Sequence, residues 1–175
     1  MIREFQKSDI ERLADIWLDT NLNAHNFIPS QYWLSKFETV KEMFLQAEIY
    51  VCEKENEVQG FIGLYENYIA GIFVQSQFQT KGIGKQLLDF VKDRKEELSL
   101  SVYQKNIRAV KFYKRENFEI RCENKDEDTC EKEYLMVWSR KNFQFYREFE
   151  CNRRYEFTEG ISKWIKEQKL KQLQL

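Results

Sequence analysis

Gln79-Thr80-Lys81-Gly82-Ile83-Gly84-Lys85 is the stretch on which the fold turns. Before it, residues 68–74 are an apolar run of strand length. After it, Ile83, Leu87, Leu88 and Val91 recur at helical spacing. Glycines at a strand–loop–helix junction aim several backbone N–H groups at one point. The helix start adds the positive end of its dipole, which makes a phosphate cradle. A plain glycine turn is the competing reading of the pair alone. Two familiar phosphate loops are excluded. A P-loop requires glycine where Gln79 stands and Ser or Thr where Gln86 stands. A dinucleotide fingerprint requires a third glycine at Leu87. Five of the six glycines (Gly60, Gly63, Gly71, Gly82, Gly84) lie in residues 60–84, so sharp turns and close approaches concentrate there.

Outward from this junction the pattern alternates. Residues 1–5 read as a strand, and Ser8-Asp9-Ile10-Glu11 as a capping box with Ser8 at the N-cap. Ile10, Leu13, Ala14 and Trp17 predict a helix to about residue 21. A second helix is predicted over 31–47, with Trp33, Phe37, Val40, Phe44 and Leu45 on one side. Strands follow at 49–53, 58–65 and 68–74, the last two joined around Glu66-Asn67. Then come a helix at 82–95, a strand at 98–103, a helix at 107–116 and strands at 118–122 and 134–139. The acidic stretch 123–133 reads as a loop. Hairpins imply antiparallel pairing and the later alternation implies a crossover. The fold class is therefore α/β (α+β), with a mixed, mostly antiparallel central sheet flanked by helices.

A second stretch carries chemistry: Asn106-Ile107-Arg108-Ala109-Val110-Lys111-Phe112-Tyr113. Asn106 is a natural N-cap after a strand. Ala109, Phe112 and Tyr113 share one helix face. Phe112 reads as core. Tyr113 reads as core or as a phenol able to carry a proton to a leaving group.

Together the two stretches resemble the GCN5-related N-acetyltransferase (GNAT) superfamily, over about residues 1–139, and look most like its short stand-alone bacterial members. Gln79-x-x-Gly82-x-Gly84 matches the family's acetyl-CoA pyrophosphate motif. Asn106-x-x-Ala109-x-x-Phe112-Tyr113, with Phe118, matches its second motif. Relatives commonly carry glycine where Asn117 stands; asparagine is the best non-glycine choice for a left-handed helix end.

The resemblance implies an acyl-CoA N-acyltransferase fold in which strand 68–74 splays from strand 99–103. The pantetheine arm of acetyl-CoA would pair with backbone groups of Phe73 and Val74, and an N–H there would polarise the thioester carbonyl. The amides of Lys81, Gly82, Ile83, Gly84 and Lys85, behind Gln79, would hold the pyrophosphate, with the Lys81 and Lys85 side chains assisting. Asn106 would contact the cofactor arm, and Tyr113 would protonate the departing CoA thiolate. The implied activity is acetyl-CoA-dependent N-acetylation of a primary amine by direct attack in a ternary complex, with CoA as product. The acceptor is a protein lysine, a protein N-terminus or a small amine. Glu66, His25 and no protein base at all are the alternatives for proton removal. Residues 21–33, with Phe27, Ile28, Tyr32 and Trp33, would wall the acceptor site; core packing of Trp33 is the competing reading. A CoA-binding regulatory or interaction module without turnover is the alternative function.

Composition sets outer bounds. Lys+Arg 28 nearly cancels Asp+Glu 29, which argues against a general nucleic-acid binder. No apolar run approaches the ~20 residues of a membrane helix, and residues 1–5 lack a signal core, so a cytoplasmic protein without membrane partners is expected. The four cysteines form no C-x-x-C pair and there is one histidine, so no zinc spacing is visible. The acetyltransferase domain is expected at 1–139. Residues 140–175 form an aromatic, basic extension, net +4 (nine Lys/Arg, five Asp/Glu) against −5 for the rest. That extension is expected to be strand-like, then helical, and to dock on its own domain or in a homodimer.

Overall fold

The structure is a computed structural model and describes residues 1–140. The expectations for the extension and for its docking fall on residues outside these, apart from Arg140.

Strand β1 (Ile2–Glu4) leads through a 3-10 turn into α1 (Ile10–Ala24), α2 (Ser30–Ser35) and α3 (Phe37–Phe44). Strands β2 (Glu48–Lys54), β3 (Glu57–Tyr65) and β4 (Tyr68–Val74) follow, then α4 (Ile83–Lys92), β5 (Glu97–Tyr103), α5 (Ile107–Arg115), β6 (Glu119–Lys125) and β7 (Lys132–Ser139). The seven strands form one sheet in the order β1-β2-β3-β4-β5-β7-β6. Only β4 and β5 pair in parallel.

Alternating strand residues feed two cores. Phe61, Val51 and Ile49 pack with Leu13, Ala14 and Ile16 of α1 and Val40 and Phe44 of α3 on one face. Ile62, Leu64, Ile69, Leu98 and Leu100 pack with Leu87, Leu88 and Val91 of α4 and Val110 of α5 on the other. Two-residue turns carry left-handed residues at Glu55 and Asn56, and at Glu66. Asn117 adopts φ 63° after α5, the left-handed helix end expected of it.

Three readings are corrected. The helix predicted over 31–47 breaks at Lys36, whose N–H bonds back to Trp33. The break lets Trp33 face Trp17 while Val40 and Phe44 reach the sheet. The N-terminal cap is not Ser8 with Glu11. Asp9 accepts the Gln6 N–H at 2.8 Å and pairs with Arg3 at 2.7 Å, while Glu11 goes to Lys41. The Arg3 guanidinium fixes Asp9 there and holds its carboxyl below the usual range. The acidic loop shrinks to residues 126–131, because Asn124 and Lys125 register against Glu133 and Lys132.

Strands β3 and β4 pack unusually closely. A Cβ on Gly60 would lie 2.7 Å from the Phe73 carbonyl oxygen, a backbone atom that cannot yield; on Gly63 it would meet nothing nearer than 3.9 Å. Gly60→Ala should therefore cost about 1–3 kcal/mol, and Gly63→Ala should stay within about 0.5 kcal/mol, by denaturant melts. Equal melting of the two variants would contradict this account of the β3–β4 contact.

Candidate active site

The sheet opens between β4 and β5. Their pairing is confined to Tyr68↔Ser99 and Ile69↔Leu100. Beyond it, residues 71–74 remain on β3 and residues 101–103 remain on β7. A bulge causes the opening. Gly63 registers with Gly71 but Leu64 with Ile69, which leaves Ala70 as an extra residue on β4. The bulge also sets which backbone groups face the gap. The Gln75 N–H donates to the Gln59 carbonyl at 3.0 Å, so by antiparallel alternation Phe73 bonds toward β3 while Ile72 and Val74 turn to the gap. Phe73 was expected at that edge beside Val74; the register corrects the pair to Ile72 and Val74.

The loop after β4 supplies the cradle. Thr80 (φ 64°) and Gly82 (φ 82°) are left-handed, and α4 begins with Gln86 N–H bonding to the Gly82 carbonyl at 3.0 Å. The amides of Ile83, Gly84 and Lys85 thus have no acceptor within the helix and point out of its start. A Cβ on Gly84 would lie 3.9 Å from the Ile72 and Val74 side chains, which places the start of α4 beside this end of β4. The lysine side chains point elsewhere: Lys85 binds Asp89 (2.8 Å) and Glu116 (3.2 Å), and Lys81 lies over the Phe78 ring. The cradle is backbone, which fits a pyrophosphate. Gln79 braces it, donating to the Val74 carbonyl (2.8 Å) and accepting from Arg108 (2.7 Å). Beside it lies a cavity of about 350 Å³ lined by Thr20, Asn23, Gln79, Asn106 and Arg108.

Helix α5 brings the second motif to the same place. The Asn106 side-chain oxygen accepts the Ala109 N–H at 3.1 Å, capping the helix as expected. Tyr113 is buried between Phe112 and Phe118. Burial, with a smaller contribution from Tyr68, raises its pKa, so the phenol keeps its proton at neutral pH. That is the state a proton donor needs.

The two base candidates lie apart. Glu66 is exposed at the β3–β4 turn, beyond the closed end of the gap. His25 stands near Tyr103 at the open end, about 20 Å away by strand length. Its Nδ1 meets Asn21 Oδ1 at 3.0 Å and its Nε2 meets Asn106 Nδ2 at 3.1 Å. Burial lowers its pKa to about 4. The ring is neutral at pH 7, with neither nitrogen left for an incoming amine.

The aromatic residues of 21–33 come together. Phe27, Tyr32 and Trp33 gather around His25 and Tyr103; Ile28 is buried. The β6–β7 loop joins them, and sequence reading missed this. Tyr103 donates to Asp126 (3.2 Å) and Tyr32 to Asp128 (3.4 Å). The acidic run at 123–133 was visible, but nothing local shows that it folds back onto an element ninety residues earlier. Among the described residues no His/Cys/Asp/Glu group is placed to hold a metal ion, and no helix is long and apolar enough to cross a membrane.

Comparison with known proteins agrees with this geometry. A family model described as "Acetyltransferase (GNAT) domain" matches residues 46–120. The peptidyl-lysine N-acetyltransferase YiaC of Escherichia coli is 35% identical over 141 residues, covering 79% of this chain and 96% of that protein. The chain belongs to the GNAT acetyltransferase family. Peptidyl-lysine N-acetyltransferase YjaB of Salmonella typhimurium is 27% identical, over 68% of this chain and 83% of its own length. The solution structure of apo YjaB from Escherichia coli superposes with a TM-score of 0.71 at 22% identity, over 79% of this chain and 96% of that one, and so shares the fold. As a GNAT member the chain is an enzyme that transfers acetyl from acetyl-CoA to an amine; a binding module without turnover is not favoured.

Two outcomes follow from the site. Gly82→Val, which forces a branched residue to φ 82°, should abolish acetyl-CoA binding by calorimetry while the fold persists; unchanged affinity would refute the backbone cradle. His25 has its pKa lowered from 6.5 to about 4, so the unfolded chain binds the extra proton between these values. Stability should therefore fall as pH drops from about 6.5 to 4. His25→Gln should flatten that part of the melting-temperature profile; an identical profile would show that the ring is not buried neutral.

Proposed function

We propose that this enzyme acetylates the ε-amine of lysine in proteins or peptides, by direct attack on acetyl-CoA in a ternary complex, with Tyr113 as proton donor. The observation that carries the acceptor class is the aromatic and acidic wall, which already holds two alkylammonium groups of the chain itself. Lys36 lies 5.4 Å from the Tyr32 ring centroid and 3.4 Å from Asp128. Lys105 lies 5.3 Å from the Phe27 centroid and 2.8 Å from Glu131. Rings and carboxylates so arranged suit another lysine head. The names of the YiaC and YjaB relatives point the same way.

Acetyl-CoA supplies the activated acetyl group. The chain contributes binding and proton placement. The amides of 83–85 hold the pyrophosphate, and backbone groups of Ile72 and Val74 align the arm. A free gap-facing N–H polarises the thioester carbonyl. A lysine has a pKa of about 10.4 in water and must lose one proton before attack. With His25 engaged and Glu66 distant, that proton leaves through water. The N–C bond then forms, the C–S bond breaks, the nitrogen gives its second surplus proton to water, and the Tyr113 phenol gives its proton to sulfur and is reprotonated from that solvent. Residues 1–139 are the catalytic unit in this reading and 140–175 an extension. The similarity to YiaC, which spans 79% of the chain, supports that division. A cytoplasmic location, where acetyl-CoA is made and used, belongs to the same proposal.

With a lysine peptide, Tyr113→Phe should lower kcat by roughly 10²-fold and leave the Kd for acetyl-CoA within about twofold. Turnover equal to wild type would remove the proton-donor role. A panel of a lysine peptide, an α-amine peptide and small amines, followed by thiol release, tests the acceptor. Preference for anything but the ε-amine would overturn the lysine assignment.

A further inference from the structure

The single histidine joins the two halves of the site. Asn106 Oδ1 faces the Ala109 N–H, so the other end of its amide, Nδ2, is what meets His25 Nε2. Nε2 must then be the acceptor, and Nδ1 must carry the proton. The far end agrees independently. Asn21 Nδ2 donates to the Trp17 carbonyl at 2.8 Å, which leaves Asn21 Oδ1 to accept from His25 Nδ1. One tautomer satisfies both ends.

The result is an unbroken line of hydrogen bonds. It runs from the body of α1 through Asn21, His25 and Asn106 into the first turn of α5. Aromatic rings clamp the imidazole: Trp33 stacked at 5.4 Å, Tyr103 edge-on at 5.2 Å and Phe27 edge-on at 5.7 Å. The ring cannot tilt without opening those contacts. At its other end α5 is held by the Phe118 N–H on the Tyr113 carbonyl at 3.0 Å. Tyr113 lies seven residues from the cap, about 10 Å along the helix. An error at the cap is therefore passed to the phenol, and a misplacement of about 1 Å costs on the order of 10² in rate.

We propose that His25 is a positioning residue for acetyl transfer: through Asn106 it fixes the start of α5 and thereby the placement of the Tyr113 hydroxyl. It also ties the acceptor wall, which surrounds its ring, to the helix that delivers the proton. The proposal rests on the reading of Tyr113 as proton donor.

Imidazole suits the role because it offers one acceptor and one donor on opposite sides of a rigid ring. A glutamine places its amide oxygen near the Nε2 position and preserves the link to Asn106. An alanine preserves nothing. Asn106→Ser separates cap from link, since serine is a good N-cap but has no amide to offer His25.

The test is steady-state kinetics of the full chain with acetyl-CoA and a lysine peptide, with melting temperatures measured alongside. His25→Ala and Asn106→Ser should each lower kcat about 10-fold or more. The double variant should be no slower than either. His25→Gln should recover kcat to within about threefold of wild type. In a Tyr113→Phe background, His25→Ala should cost less than about threefold further, because the group it positions is gone. Wild-type kcat in His25→Ala would overturn the proposal. So would a full, additive loss in a slow Tyr113→Phe background, or failure of His25→Gln to recover. Should His25→Ala not fold, the Asn106→Ser cycle with Tyr113→Phe decides in the same way. A Tyr113→Phe enzyme as fast as wild type would sink the proton-donor reading itself, a distinguishable result.

Discussion

One residue too many on β4 governs the site. With Ala70 left out of the pairing with β3, the ladder changes phase, and the parallel contact with β5 stops at Ile69. A continuous sheet would have closed Ile72 and Val74 against β5. Instead the Ile72 backbone and the Val74 N–H form a polar strand edge facing the gap, with the Val74 carbonyl taken by Gln79, and a cofactor arm can complete it. The neighbouring parts follow from that opening. Gly84 places the start of α4 at the rim of the gap, and Gly60 and Gly71 allow β3, β4 and the Phe73 ring to pack closely around the bend.

The chemistry of the site is set by burial more than by charge. Desolvation pushes the Tyr113 phenol up and the His25 imidazole down, so both are neutral at pH 7. Neutrality suits each differently. The phenol retains a proton to give, and the imidazole keeps the one tautomer that links Asn21 to Asn106. The charged groups lie outside, on the β6–β7 loop and its lysine partners, where an acceptor would approach.

Much of this was legible in the sequence because it is local. Asn106 caps α5, Asn117 is left-handed, and Gly82 makes the sharp turn into α4 that its glycine suggests. The two sheet faces followed from alternation, and Leu87, Leu88 and Val91 from helical period. What was not legible depends on distant pairing. Ala70 looks like any strand alanine; only the pairing of its neighbours with β3 makes it a bulge, and whether Ile72 or Phe73 shares the gap edge with Val74 follows from that phase. The role of His25 depends on Asn21 and Asn106, the latter eighty-one residues away. Asp126 and Asp128 meet Tyr103 and Tyr32 because a hairpin folds back, which spacing does not encode. The Ser8 cap failed for a different reason: Arg3 on β1, six residues earlier, claims Asp9, which accepts the Gln6 N–H instead.

Amide hydrogen exchange at Ile72, Phe73 and Val74 tests the central claim most directly. In the free enzyme the Phe73 amide, bonded toward β3, should exchange slowly, while Ile72 and Val74 exchange fast. Saturation with acetyl-CoA should slow Ile72 or Val74 at least about tenfold and leave Phe73 unchanged. Slow exchange at all three in the free enzyme, or no response of Ile72 and Val74 to acetyl-CoA, would contradict the account of the gap and of what fills it.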